Sequence, residues 1–276
     1  MTATVGPEIA NKIDVAGIET NYHDQGLGSP VLLIHGSAAG VTAWANWRGL
    51  IPVLSSSHRV IAPDVVGFGY TDAPKDFQYN LHTWTGHLFG LLDALGIPRV
   101  SVLGNSLGGA LALKMAIDRP ERIDRIVTMG SVGIPFPITD GLEAAWGYEP
   151  SPDKMRRLLD FFLYDTSIIS PDLVELRYRA TLRPGAQETF ASIFPAPRQK
   201  MLDSLTLPED ALRALPHQAL LVHGRDDQVV PVHTSDRLNQ LIPNSNLHIF
   251  GKCGHWSQIE KADEFADLVQ NFLSKQ

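Results

Sequence analysis

The run Val100-Ser-Val-Leu-Gly104-Asn105-Ser106-Leu107-Gly108-Gly109-Ala110 constrains this chain more than any other. An apolar, β-branched stretch enters G-x-S-x-G, and a small-residue, helix-forming stretch leaves it. The pattern predicts a strand, a sharp turn and a helix, with Ser106 at the tip of the turn. Gly104 and Gly108 allow two backbone segments to approach where a Cβ would collide. The first turn of the following helix offers unpaired N–H groups and the positive end of its dipole, which suit a developing oxyanion. Glycine and serine are common enough that the pentapeptide arises by chance in on the order of one chain in ten of this length. The meaning of Ser106 therefore depends on its partners further along the chain.

Two further strand-like runs end in loops that carry an acid and a histidine. Ala219-Leu-Leu-Val-His-Gly224 leads to Asp226 and Asp227, and Leu247-His-Ile-Phe-Gly251 leads to Gly254-His255-Trp256. The order Ser106, Asp227, His255 is that of the α/β-hydrolases and differs from the chymotrypsin and subtilisin orders. A serine hydroxyl needs a base to take its proton, an imidazole can serve near neutral pH, and a buried carboxylate must orient that imidazole. The spacing G-x-x-D-x-x-x-P from Gly224 to Pro231 selects Asp227 over Asp226, which is read as a structural acid of the loop. His23, His58, His82, His87, His217, His223, His233 and His248 lack this placement and are expected to be surface or packing residues.

Short apolar runs recur along the chain: Val31–Ile34, Val60–Ala62, Val100–Leu103, Ile126–Met129, Ala219–Val222 and Asn246–Phe250, after an N-terminal hairpin of Ile13–Val15 and Ile18–His23. Helical patterns lie between them at Thr83–Leu95, Leu107–Ile117, Thr234–Leu241 and Ala262–Leu273. Alternation of this kind predicts an α/β fold, here the α/β-hydrolase fold: a mostly parallel eight-stranded sheet with helices on both faces. Ligands of such sheets bind at the carboxyl ends of the strands, where the three candidate residues fall. From Ile134 to Leu215 no core strand is evident, and nine prolines interrupt the segment. Two Ser-Pro-Asp sequences, at Ser151 and Ser170, read as N-caps with proline at the first helical position. Met155, Leu158, Leu159, Phe162 and Leu163 form a helical stripe after the first. Residues 134–215 are accordingly expected to be a helical cap inserted into a core of 1–133 and 216–276.

The formal net charge is -7 and no basic cluster occurs, which argues against nucleic acid and anionic membrane partners. A single cysteine, Cys253, excludes a disulfide framework and a cysteine metal site. Met1 to Lys12 has no apolar signal-peptide region, and no apolar run is long enough for a membrane span. A cytoplasmic enzyme is the expectation. No dinucleotide fingerprint, P-loop or metal motif is present, so no cofactor and no metal are expected.

After Val31–Ile34 comes His35-Gly36-Ser37-Ala38-Ala39, the second strand-end loop needed for an oxyanion hole, with the N–H groups of Ser37 and Leu107 as the candidate donors. From here the chain resembles the meta-cleavage product hydrolases, α/β-hydrolases that cut a carbon–carbon bond in ring-fission products of catechols. The matching stretches run almost end to end. They include Trp44-Ala-Asn46-Trp47-Arg48, Ala62-Pro-Asp64 to Tyr70, Gly104 to Gly109, Phe136-Pro-Ile-Thr139 and Trp146-Gly-Tyr148. They continue with Leu182-Arg183-Pro-Gly185, Phe194-Pro-Ala-Pro-Arg198, His223-Gly-Arg-Asp-Asp227 and Cys253-Gly-His-Trp256. One departure is Ala38-Ala39, where the family often has Gly-Pro.

The resemblance implies a small anionic substrate, a 2-hydroxy-6-oxohexa-2,4-dienoate with hydrogen or a small alkyl group at C6, and a homo-oligomeric enzyme. It implies Arg183 as the carboxylate-binding residue and Asn46, Asn105 and Trp256 as polar residues around the dienoate. It places Val132, Trp146, Leu202 and Val230 around the C6 substituent, where a bulky Trp146 leaves little room for phenyl. Three alternatives stand beside this reading: a carboxylesterase with the same triad, a phenyl-accepting C–C hydrolase, and a binding module that has lost catalysis. Haloalkane dehalogenases and epoxide hydrolases are disfavoured because their elbow nucleophile is an aspartate.

Overall fold

The computed structural model describes residues 6–274; positions 1–5 and 275–276, part of the expected core and of the N-terminal signal-peptide reading, lie outside the described residues. Eight strands form one sheet: β1 (Asn11–Val15), β2 (Ile18–Gln25), β3 (Pro30–Ile34), β4 (Arg59–Pro63), β5 (Val100–Asn105), β6 (Ile123–Met129), β7 (Gln218–Gly224) and β8 (Ser245–Phe250). Their order is β1-β2-β4-β3-β5-β6-β7-β8. β1 pairs antiparallel with β2, and β2 with β4; every other pairing is parallel. The hairpin turn between β1 and β2 consists of Ala16 and Gly17, both at positive φ (53° and 85°). Two such residues give the turn a twist that matches the flanking strands.

The inner parallel strands β3, β5 and β7 are buried almost throughout, which explains their continuous apolar runs, whereas β8 at the sheet edge is largely half-buried or exposed. In β3 the side chains alternate: Leu32 and Ile34 join one core cluster, Val31 and Leu33 the other. The helices Leu81–Ala94 and Leu107–Asp118 cover the first face. Ala262–Leu273 covers the second through Phe265, Val269 and Phe272, together with two short helices, Ala43–Trp47 and Ile51–Leu54. Those two are too short for periodicity to reveal.

Six α-helices lie between β6 and β7: Asp140–Trp146, Pro152–Phe162, Pro171–Ala180, Ala186–Ile193, Gln199–Ser204 and Glu209–Arg213. The Ser-Pro-Asp starts form as the sequence predicts. Ser151 Oγ accepts the Lys154 N–H and Ser170 Oγ that of Leu173, each ahead of a proline at the first turn. Met155, Leu158, Leu159 and Phe162 form the buried face of Pro152–Phe162, whereas Pro171–Ala180 has no buried residue.

Asp64, just after β4, ties three segments together near the sheet's carboxyl edge. Its Oδ1 accepts the Ala43 N–H at 2.6 Å, and its Oδ2 accepts Asn21 Nδ2 and the Tyr70 N–H, both at 2.8 Å. Burial pushes this carboxyl up to about 6 against the opposing pull of those donors.

Candidate active site

Ser106 stands between β5 and the helix Leu107–Asp118 with φ 55° and ψ −113°, a conformation unfavourable for a residue with a Cβ. Its N–H donates to Met129 O at 2.9 Å, which anchors the turn to β6. A Cβ on Gly104 would overlap the Gly108 carbonyl, and one on Gly108 would overlap the Ile34 carbonyl. Only glycines permit strand and helix to meet this closely. The turn carries Ser106 to the edge of a cavity of about 600 Å³ beneath the inserted helices.

His255 comes from the loop after β8 and Asp227 from the loop after β7. His255 Nδ1–H donates to Asp227 Oδ2 at 2.7 Å, and the pair is buried (2 % and 0 % side-chain exposure). Nδ1 is thereby occupied, and Nε2 on the far side of the ring is left as the proton acceptor; His255 and Ser106 line the same cavity. Asp227 Oδ1 accepts the N–H groups of Val229 (2.7 Å) and Val230 (2.9 Å). Its Oδ2 also meets His223 Nε2 at 3.2 Å. Burial raises this carboxyl, but His255 and His223 outweigh it and hold the group well below the usual carboxylate range. Asp226 instead accepts the Cys253 N–H at 3.4 Å and meets Arg225.

His223 therefore has a larger part than the sequence reading gave it. Fully buried at the end of β7, its Nε2 faces both Asp227 Oδ2 and Val230 O (2.9 Å), while Nδ1 meets Ser235 Oγ at 2.7 Å. Two acceptors around Nε2 place the proton there and leave Nδ1 to accept from the Ser235 hydroxyl.

Ser37 lines the cavity, and Leu107 opens the helix after Ser106. Asn46, Asn105, Arg183 and Trp256 also line it. Asn46 Nδ2 and Gln258 Oε1 are buried without a partner among the described residues. Unpaired buried polar atoms on a cavity wall are open to a polar ligand. Gln258 was not singled out from the sequence. Arg183 donates from Nη1 to Gly69 O and from Nε to Ala180 O (3.3 Å), and it lies 4.4 Å from the Tyr70 ring centroid. Arg177, also missed, lines the same cavity with its guanidinium 5.7 Å from the Trp256 ring. Among the described residues it makes no hydrogen bond or ion pair.

The four residues expected around C6 are placed differently. Val132, Trp146, Leu202 and Val230 are fully or almost fully buried and do not line the cavity; Leu142, Ala145, Phe162 and Val229 do. The reason is clearest for Trp146. Its indole is stacked on Phe194 (4.5 Å, 14°) and its Nε1–H donates to Ser37 Oγ at 2.9 Å.

The strand order, the sharp turn at Ser106 and the acid–histidine pair together define a serine hydrolase architecture, and residues 29–166 and 170–262 match the alpha/beta hydrolase fold family. The chain is 55% identical over 269 residues to 2-hydroxymuconate semialdehyde hydrolase of Pseudomonas sp. strain CF600, covering 98% of this chain and 95% of the relative. It is also 55% identical over 270 residues to 2-hydroxy-6-oxo-2,4-heptadienoate hydrolase of Pseudomonas putida strain F1, covering 98% of each. A meta-cleavage product hydrolase of Pseudomonas fluorescens IP01, solved with acetates, superposes with TM-score 0.95 at 51% identity, over 96% of this chain and 98% of the other. Within the α/β-hydrolases, this chain belongs to the meta-cleavage product hydrolases.

Proposed function

We propose that this enzyme hydrolyses the C5–C6 bond of 2-hydroxy-6-oxohexa-2,4-dienoates with hydrogen or a small alkyl group at C6. The products are 2-hydroxypenta-2,4-dienoate and a small carboxylic acid, a step in meta-cleavage degradation of monocyclic aromatics. The observation that carries this reading is one largely apolar cavity that holds Ser106 and His255 together with guanidinium groups and two unpaired amide atoms, Asn46 Nδ2 and Gln258 Oε1. An ester hydrolase has no need of the second set.

Arg183 takes the substrate carboxylate with its remaining N–H groups, and Asn46, Asn105 and Trp256 hold the enol end. The dienol is first ketonised, with a proton delivered to C5. Attack at the C6 carbonyl then gives an oxyanion between the N–H groups of Ser37 and Leu107. Cleavage of C5–C6 releases an electron pair that spreads through C4=C3 onto the C2 oxygen, and water supplies the oxygen of the released acid. Ser106, relieved of its proton by His255 and oriented through Asp227, is required whether it attacks C6 itself or activates water. Leu142, Ala145, Phe162 and Val229 wall the C6 end, and Val132, Leu202 and Val230 pack behind them in the same apolar cluster. This arrangement supports a small substituent. The reading extends to a cytoplasmic homo-oligomer, whose copy number light scattering would give. Among the described residues no helix is long and apolar enough to cross a membrane.

The test tracks the colour of the ring-fission products of catechol, 3-methylcatechol and 2,3-dihydroxybiphenyl. Rapid loss of the first two and slow loss of the third is the expected result; hydrolysis of p-nitrophenyl esters with all three dienoates intact would overturn the proposal. Arg183→Met is expected to raise KM for the dienoates by about 10- to 100-fold, the worth of a charge-assisted hydrogen bond, while KM for a neutral ester stays near wild type. An equal rise for both substrates would remove the carboxylate role.

A further inference from the structure

The peptide that joins Gly36 to Ser37 is gripped at both ends. In a trans peptide the Gly36 carbonyl and the Ser37 N–H point in opposite directions within one plane, so fixing one fixes the other. His35 Nε2 lies 2.9 Å from the Val65 nitrogen, whose N–H can only donate. The His35 proton must then be on Nδ1, which donates to Gly36 O at 2.7 Å. Burial, against the opposing effect of that carbonyl, pulls the His35 pKa down to about 4, so the neutral tautomer persists at neutral pH.

The other grip comes from the inserted helices. Trp146, the last residue of Asp140–Trp146, donates its buried Nε1–H to the Ser37 hydroxyl. Its ring is fixed by Phe194; Phe194 lies 6.3 Å from Phe68, and Phe68 meets the His35 ring edge-on at 5.5 Å. The contacts close a circuit from His35 through Phe68, Phe194 and Trp146 back to Ser37.

We infer that Trp146 is a positioning residue for the oxyanion hole: through the Ser37 hydroxyl it holds the Gly36–Ser37 peptide in the orientation that aims the Ser37 N–H at the reacting carbonyl. This rests on the proposed role of that N–H. Trp146 then acts on the transition state of every substrate alike, and not on the choice of C6 substituent.

Two variants separate the possibilities. Trp146→Phe keeps an aromatic ring against Phe194 and deletes the donor; Ser37→Ala deletes the acceptor and keeps the backbone N–H. Losing a whole oxyanion donor lowers kcat about 10²- to 10³-fold, and loosening one is expected to give a fraction of that, about 10-fold, for each variant. KM should stay within about twofold, the loss should be equal for dienoates with hydrogen, methyl or ethyl at C6 and for p-nitrophenyl acetate, and the double variant should be no slower than the single ones. A wild-type kcat in Trp146→Phe, a loss that varies with the C6 group, a loss confined to KM, or additive losses would each overturn the inference. Failure of the proposed function is distinguishable, because it appears as wild-type protein that leaves every dienoate intact, and the ester measurements still decide the role of Trp146.

Discussion

Alanine in place of Ser106 is expected to reduce kcat on dienoates and esters to about 10⁻⁴ of wild type or below, the scale of losing an activated nucleophile. The hydroxyl is the only group removed. The turn does not depend on it, because Ser106 is held through backbone bonds: its N–H to Met129 O, and its carbonyl from the N–H groups of Gly109 and Val132. Alanine meets the same positive φ as serine, so the melting temperature should stay within a few degrees. Substrate should still bind, since Arg183 and the amides are untouched, and the variant is expected to hold coloured dienoate that elutes with the protein. Steady-state turnover, thermal unfolding and gel filtration with substrate check the three parts. Turnover within tenfold of wild type would eliminate both the acyl-enzyme and the activated-water routes.

Asp227→Asn should be nearly as severe, about 10⁴-fold in kcat, and unlike Ser106→Ala it should also lower stability. All four partners of this carboxylate donate: Val229 and Val230 N–H to Oδ1, His255 Nδ1–H and His223 Nε2–H to Oδ2. A carboxamide accepts on one side only. Its NH₂ must face either the backbone pair, leaving two N–H groups opposed, or the two histidines, forcing His255 into the wrong tautomer. An opposed or unsatisfied buried donor costs about 1–3 kcal/mol, readable as a lower denaturation midpoint. A variant with wild-type stability and wild-type kcat would show that the carboxylate does not orient His255.

What the sequence made legible was local. The Ser106 turn, the glycine-ended strands that bear Asp227 and His255, and the Ser-Pro-Asp helix starts each lie within a dozen residues, where spacing alone carries the signal. What stayed hidden depends on pairs far apart in the chain. Trp146 and Ser37 are 109 residues apart, and nothing in either neighbourhood announces an indole-to-hydroxyl bond. His223 reads as the end of an apolar strand; its use comes from the loop that folds Asp227 and Val230 back over it. Arg177 sits on a helix with no buried face, so its place beside Trp256 comes from docking of the inserted segment and not from periodicity.

The inserted segment is also stitched to the core. Phe162 O accepts the His255 N–H at 2.8 Å, and the Glu260 carboxylate gathers the N–H groups of Gly254, Tyr164 and Asp165. With Trp146 on Ser37, the segment is sewn to the loops that follow β3 and β8, and swinging it away as one piece would break all of these bonds. Among the described residues Pro171–Ala180 makes no direct hydrogen bond to the core, Arg183 alone bridging Ala180 O to Gly69 O, and Leu176 and Leu182 are exposed. Substrate is expected to enter past this one helix. Amides of 171–182 should take up deuterium well before those of 152–162 and of the loops that carry Ser37 and His255; equal uptake in all of them would remove this route.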